Sequence, residues 1–320
     1  MLTRRQALVA GLTLLPTTGL WRRALAAPMP QYAHGQVRLP SGRRIGYAEY
    51  GDPSGPLVFY FHGTPGSRIE AGLIADEATA AGIRLVALER PGIGLSDYQS
   101  GRRILNWPAD VASAAEALGY GGTSFGIVGL SGGAPYALAC VRCMPERLTH
   151  VAVVSGHTPL CPAGAPSGSQ DKLIAWVGRR PRLATAAFRV ASNQLRKHPK
   201  FVLHKVSESW AESDRQLILC NPAYYSALNQ TLLEATRCGP EGIVTDVTLL
   251  GNDWGYRFGD LPPASVSFWQ GGCDPIAPAA MGHYFQRNVA GSELTIDPRA
   301  GHLTVLKWHA AAILGRFATK

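Results

Sequence analysis

Between residues 57 and 154 the chain alternates two hydrophobic patterns. Short runs that are apolar at nearly every position ("LVFYF", "IRLVAL", "FGIVGL", "LTHVAVV") are the mark of strands buried on both faces. Between them lie "SRIEAGLIADEATAAG", "ILNWPADVASAAEALGY" and "GGAPYALACVRCMP", where apolar residues recur at helical spacing. A hairpin, "GQVRLPSGRRIGYAEYG", precedes this region, with a Ser-Gly turn between two strand-like halves. From about residue 160 to 248 no strand pattern occurs, only amphipathic helical stretches. The alternation resumes with "SVSFWQG", a helix around "PAAMGHYFQRNV", the strand "SELTID" and a single closing helix "LTVLKWHAAAILGRFA". This rhythm predicts an α/β fold: a mostly parallel central sheet covered by helices on both faces, interrupted by one helical insertion. The core is expected over 27–159 and 251–320, and the insertion over 160–250.

The first 26 residues read as an export signal rather than fold. They carry a basic start, a weakly apolar stretch broken by Pro16, and the small-residue site Ala24-Leu25-Ala26. Thr3-Arg4-Arg5-Gln6-Ala7-Leu8 resembles a twin-arginine signal, with a Sec-type signal as the alternative because Ala7 stands where Phe is usual. The expectation is an exported protein, periplasmic or extracellular. Its partners would then be the export machinery and a small-molecule substrate, with no membrane span left after cleavage. The formal net charge of +9 draws four of its arginines from this segment, where there is no acid, and no long Lys/Arg run follows, which argues against nucleic acid as a partner. Hydrophobic residues make up 46% and charged residues 17%, which excludes a disordered chain. In an oxidising compartment the six cysteines allow one to three disulfides of undetermined pairing. Cys140 and Cys143 have no second pair at metal spacing and read as core thiols or a structural bridge, not a metal site.

Candidate chemistry is concentrated in the loops that follow strands. The motif G-x-S-x-G occurs at both Ser124 and Ser131. Ser124 precedes the strand "FGIVGL" and so lies at its wrong end, whereas Ser131 follows that strand and opens a helix. In open parallel sheets ligands bind beyond the carboxyl ends of strands. Gly129 and Gly133 permit a tight strand–turn–helix crossing around a strained serine, and Pro135 suits the first helical turn. A serine nucleophile needs a base, and the base an orienting acid. Asp274 follows "SVSFWQG" and His302 follows "SELTID", giving the order Ser, acid, His along the chain. Asp260, Asp297 and His309 (inside the closing helix) are weaker competitors by position, and His157 is equally readable as a pocket residue or a polar loop residue. Oxyanion donors are expected from the amides of Gly132 and of Thr64 in the loop His62-Gly63-Thr64-Pro65-Gly66, with His62 and Gly63 shaping that loop.

These residues resemble the α/β-hydrolase superfamily through "HGTPGSR", "ERPGIGLSD", "GLSGG", "GGCDPIAP" and the late "GH". The resemblance implies a Ser131–Asp274–His302 triad, a helical cap over the pocket at 160–250, and no cofactor or metal. Its second and third motifs look like those of capped esterases, epoxide hydrolases and dehalogenases. The latter two attack with aspartate where this chain has Ser131, so cleavage of a small ester or related acyl bond is the expected reaction. The same triad also allows perhydrolase or haloperoxidase, hydroxynitrile-lyase and proline-iminopeptidase-like activities, and a non-catalytic binding protein is the alternative that the intact triad and oxyanion loops argue against. The iminopeptidase-like activity would need acidic cap residues, for which Glu208, Glu212 and Glu234 are available. Trp176, Phe188, Trp210, Tyr224 and Tyr225 are expected mainly to form the cap's own core.

Overall fold

Residues 33–160 and 164–318 are described by the computed structural model; the segment expected to be an export signal, and Cys161, fall outside them. The hairpin strands β1 (Ala33–Arg38) and β2 (Arg44–Gly51) pair antiparallel and open the sheet. β2 also pairs antiparallel with β4 (Arg84–Leu88), and β4 lies parallel to β3 (Leu57–Phe61). From there β5 (Phe125–Leu130), β6 (Leu148–Val154), β7 (Val266–Gly271) and β8 (Glu293–Asp297) continue in parallel. The eight strands stand in the order β1-β2-β4-β3-β5-β6-β7-β8.

The unbroken apolar runs follow from burial on both faces. Successive side chains of a strand point to opposite sides, and here each side meets its own core. Phe59, Phe61, Phe125, Ile127, Val151 and Val153 pack on one face, while Val58, Tyr60, Val128, Leu130, Ala152 and Val154 pack on the other. The short helix α1 (Ala75–Ala80) lies on the second face. The first face carries α2 (Trp107–Ala117) and α3 (Ala134–Cys143).

Between β6 and β7 the chain forms six helices: α4 (Asp171–Arg179), α5 (Pro181–Lys197), α6 (Pro199–Ser207), α7 (Glu212–Leu219), α8 (Pro222–Ala235) and α9 (Glu241–Gly251). Prolines at their first turns start α5, α6 and α8, where a missing N–H is not needed. Leu195, Leu203, Ile218, Tyr225 and Leu228 make a small core of these helices' own. Ile174, Val177, Ile243 and Val247 instead join the main core. After β7 come α10 (Ala279–Asn288) on the first face, then β8, and α11 (Thr304–Trp308) and α12 (Ala310–Gly315) on the second.

Two elements depart from the periodicity. The helix expected at "SRIEAGLIADEATAAG" divides into a 3-10 segment, Arg68–Ile74, and α1. The polar side chains Arg68 and Glu70 are both buried and held by partners outside the segment, which fixes a tight turn there. The closing helix breaks at His309, whose Nε2 lies 3.0 Å from Asp297 Oδ2 and whose ring sits against Trp269, so His309 stands at a helix junction and not within a helix. The five described cysteines, Cys140, Cys143, Cys220, Cys238 and Cys273, are unbridged. Among the described residues no helix is long and apolar enough to cross a membrane.

Candidate active site

Ser131 directly follows β5, and its backbone is in the left-handed region at φ 51°. A non-glycine residue adopts this conformation at a cost of about 1–3 kcal/mol, so the surroundings must over-determine it. The surroundings here are crowded backbones. A Cβ on Gly129 would lie 3.0 Å from Ala137 Cβ, and one on Gly133 would collide with the carbonyl of Phe61. The turn therefore sits flat against β3 and α3 and lifts the serine toward the carboxyl end of the sheet.

Asp274 and His302 meet across two loops. His302 Nδ1 donates to Asp274 Oδ2 at 2.7 Å, and Asp274 Oδ1 accepts from the amides of Ile276 (2.8 Å) and Ala277 (3.0 Å). The carboxylate is thus fixed on both oxygens and buried. Burial alone would lower the His302 pKa. The charge and hydrogen bond of Asp274, with smaller contributions from Asp214 and Glu70, outweigh it and raise the imidazole above its usual value. The His302 carbonyl accepts from Ser155 Oγ at 2.7 Å, and Ser155 is a second non-glycine residue with positive φ, 48°.

Ser131 and His302 line one cavity of about 130 Å³, together with Thr64, Leu130, Trp210, Leu228 and Ile276 among others. No hydrogen bond between Ser131 and His302 is present among the described residues. Thr64 lines the cavity and packs directly against Gly132, where a Cβ would lie 3.2 Å from the Thr64 nitrogen and strike its side chain. The Thr64 loop is clamped from behind by Arg90, which donates to the carbonyls of His62 (2.6 Å) and Gly63 (2.8 Å) and to Thr64 Oγ1 (2.9 Å). His62 is buried in this clamp, Nδ1 donating to the Gly63 carbonyl and Nε2 accepting from the Arg90 amide. Burial and the adjacent Arg90 charge push it down to about 3, so it stays neutral.

Other sequence candidates lie away from the cavity. His157 is buried between the Thr158 carbonyl and Asp171. Asp297 holds His309, and Ser124 is exposed before β5. Glu208, Glu212 and Glu234 pair with Lys205, Arg215 and Arg68. Of Trp176, Phe188, Trp210, Tyr224 and Tyr225, Trp210 alone is among the cavity's lining side chains.

Three acidic residues were not legible in the sequence. Asp214, near the start of α7, accepts from the amides of His302 (2.6 Å), Leu303 (3.0 Å) and Thr304 (2.8 Å) and from Thr304 Oγ1 (2.9 Å). Asp246, on α9, binds Arg90 Nε at 2.8 Å, and also Arg102 and Tyr136. Glu70 lines the cavity itself, accepting from the Gly63 amide (2.7 Å) and the Tyr60 hydroxyl (3.0 Å). Its one visible signal was an acidic residue placed close after the "HGTPG" loop.

The sequence profile of the alpha/beta hydrolase family matches residues 57–312. No curated protein sequence matches the chain. The fold is similar to that of a bromoperoxidase from Bacillus anthracis (TM-score 0.67, 17% identity, 89% of this chain and 99% of that one). It is also similar to an esterase from Exiguobacterium antarcticum (TM-score 0.66, 15% identity, 88% and 99%) and an enol-lactonase from Burkholderia xenovorans (TM-score 0.63, 15% identity, 89% and 96%).

Proposed function

Given that the chain belongs to the alpha/beta hydrolase family, we propose that this hydrolase cleaves a small ester or related acyl bond through an acyl-enzyme on Ser131. The observation that carries the reading is the convergence of the strained Ser131 and the Asp274-bound His302 on one small cavity. In this mechanism His302 Nε2 takes the Ser131 proton as Oγ attacks the carbonyl carbon. The oxyanion is received by the amides of Thr64 and Gly132, a single such donor being worth about 3–4 kcal/mol. Collapse of the tetrahedral adduct expels the alcohol, which takes the proton from His302. Water, deprotonated by His302, then attacks the acyl-enzyme and frees the acid and Ser131. Asp274 keeps the imidazole in the required tautomer. The inserted helices, 160–250, act as the cap whose side chains select the substrate. A cavity of about 130 Å³ is close to the roughly 150 Å³ that holds a benzene ring, which favours short acyl groups. The N-terminal pattern supports export to the periplasm or medium.

Labelling with a fluorophosphonate, read by peptide mass spectrometry on separate cytoplasmic, periplasmic and medium fractions, tests these assignments. The expected adduct is on Ser131, absent in Ser131→Ala and weakened in His302→Ala, in protein outside the cytoplasm that begins near Ala27. A folded protein that takes no label would overturn the serine mechanism. Full-length labelled protein confined to the cytoplasm would overturn export alone.

A further inference from the structure

The Glu70 carboxyl is 5% exposed, lines the cavity and has no basic partner among the ion pairs of the described residues. Its Oε1 is committed to the Gly63 amide and the Tyr60 hydroxyl. Its Oε2 has no hydrogen-bond donor among the described residues and lies beside Gly63 and Gly66. A point one Cβ out from Gly63 lies 3.4 Å from Glu70 Oε2 and 3.6 Å from Ser131 Cβ, so the free oxygen and the serine flank the same gap. The other cavity carboxylate, Asp214, is saturated by four donors. Arg90, whose charge favours the ionised Glu70, spends its hydrogen bonds on Asp246 and the loop carbonyls and makes no ion pair with it. Most of the remaining lining is apolar, including Leu130, Trp210, Leu228 and Ile276.

We infer that Glu70 Oε2 is the acyl-side anchor for a protonated amine, making the preferred substrates esters of small α-amino or β-amino acids. The inference rests on the acyl-enzyme reading and names the substrate class for that same site. A carboxyl without a counter-charge is expensive to bury. Burial pushes Glu70 up to about 7, outweighing the Gly63 and Tyr60 hydrogen bonds and the charges of Arg90 and His302, which favour its ionised form. An ammonium beside Oε2 supplies the missing charge and stabilises the carboxylate, while an acyl group with methyl in that place leaves it unpaired. An anionic acyl group would meet repulsion. A purely structural role accounts for Oε1 alone, since a glutamine could accept the Gly63 hydrogen bond equally well.

The test compares alanine methyl ester with its near-isostere methyl isobutyrate at pH 7. Binding to the Ser131→Ala protein is followed by ligand-observed NMR, and kcat/KM is measured for the wild type. The α-amino group, with a pKa of about 7.7–8.0, is mostly protonated there. Ser131→Ala is expected to bind the amino ester about tenfold more tightly than the isobutyrate, and Ser131→Ala/Glu70→Gln to bring that ratio near one. Equal affinities with Glu70 intact overturn the proposal without reference to any second variant. So does a preference that survives Glu70→Gln. Ester hydrolysis persisting in Ser131→Ala would instead overturn the serine mechanism, while the binding ratios would still decide the role of Glu70.

Discussion

At the scale of single residues, the site is a set of strains and charges held in place by neighbours. Ser131 keeps a left-handed backbone because glycines at 129 and 133 let β3 and α3 close around it. His302 keeps a raised pKa, despite burial, because Asp274 cannot turn away. The proposed mechanism needs the neutral imidazole, so kcat/KM is expected to fall on the acid side, with a midpoint above the ordinary histidine value of about 6.5. Asp274→Asn removes the charge, and the acid limb of the pH profile is expected to move down. kcat should fall about 10³–10⁴-fold as the tautomer is lost. The linked stability has the opposite sense to activity. A raised folded pKa means that the His302–Asp274 pair stabilises the protein fully below the unfolded value, a contribution lost as pH rises through the folded one. Three of these residues could be placed from the chain because each follows an apolar run. Glu70 could not, because its neighbourhood is made by Tyr60 and Gly63 folding back upon it.

At the scale of elements, α7 and α11 form a joint that local pattern does not reveal. Asp214 on α7 sits at the start of α11 and accepts from the free amides that begin that helix, a favourable place for a carboxylate. Gly301 is needed there because a Cβ would strike the Asp214 carboxylate and Ala211. The inserted segment thereby positions the His302 loop. Asp214→Ala is expected to lower kcat about 10²-fold through misplacement of the imidazole, and to destabilise by about 1–3 kcal/mol through the unpaired amides. Asp214→Asn, which keeps an acceptor oxygen, should lose less of both. Steady-state kinetics with chemical denaturation reads the two effects separately, and an Asp214→Ala protein with unchanged kcat would remove the positioning role. The expected helices at 67–82 and 303–318 showed unbroken periodicity. Their breaks come from Arg68 and Glu70 reaching buried partners, and from His309 reaching Asp297, partners distant in sequence or on the neighbouring strand.

At the scale of the whole molecule, buried polar struts join the inserted helices to the sheet. Asp246 joins α9 to Arg90 and Arg102, and Arg68 joins Glu89 behind β4 to Glu234 on α8. Burial would raise the Asp246 pKa, but the two arginines hold it down at about 2. Its folded pKa lies below the unfolded one, so its stabilisation is present above the usual aspartate range and lost as pH falls through about 2. Asp246→Ala strands two buried arginines and should cost about 3–5 kcal/mol at neutral pH. Urea unfolding checks this, and the gap from wild type should narrow in strongly acidic buffer. Because Arg90 also clamps the Thr64 loop, loss of Asp246 should also reduce fluorophosphonate labelling of Ser131.

Local pattern was enough to read a mostly parallel sheet of buried strands, a helical stretch inserted late in the chain, and three post-strand loops that carry Ser131, Asp274 and His302. Those features rest on local periodicity and on turn chemistry, which neighbouring residues enforce. Only the tertiary structure decided which acids matter around them: Asp214, Asp246 and Glu70 act through partners 88, 156 and 7 positions away. A carboxylate's worth depends on its donors and on the water it loses, and both are settled only when distant segments pack together.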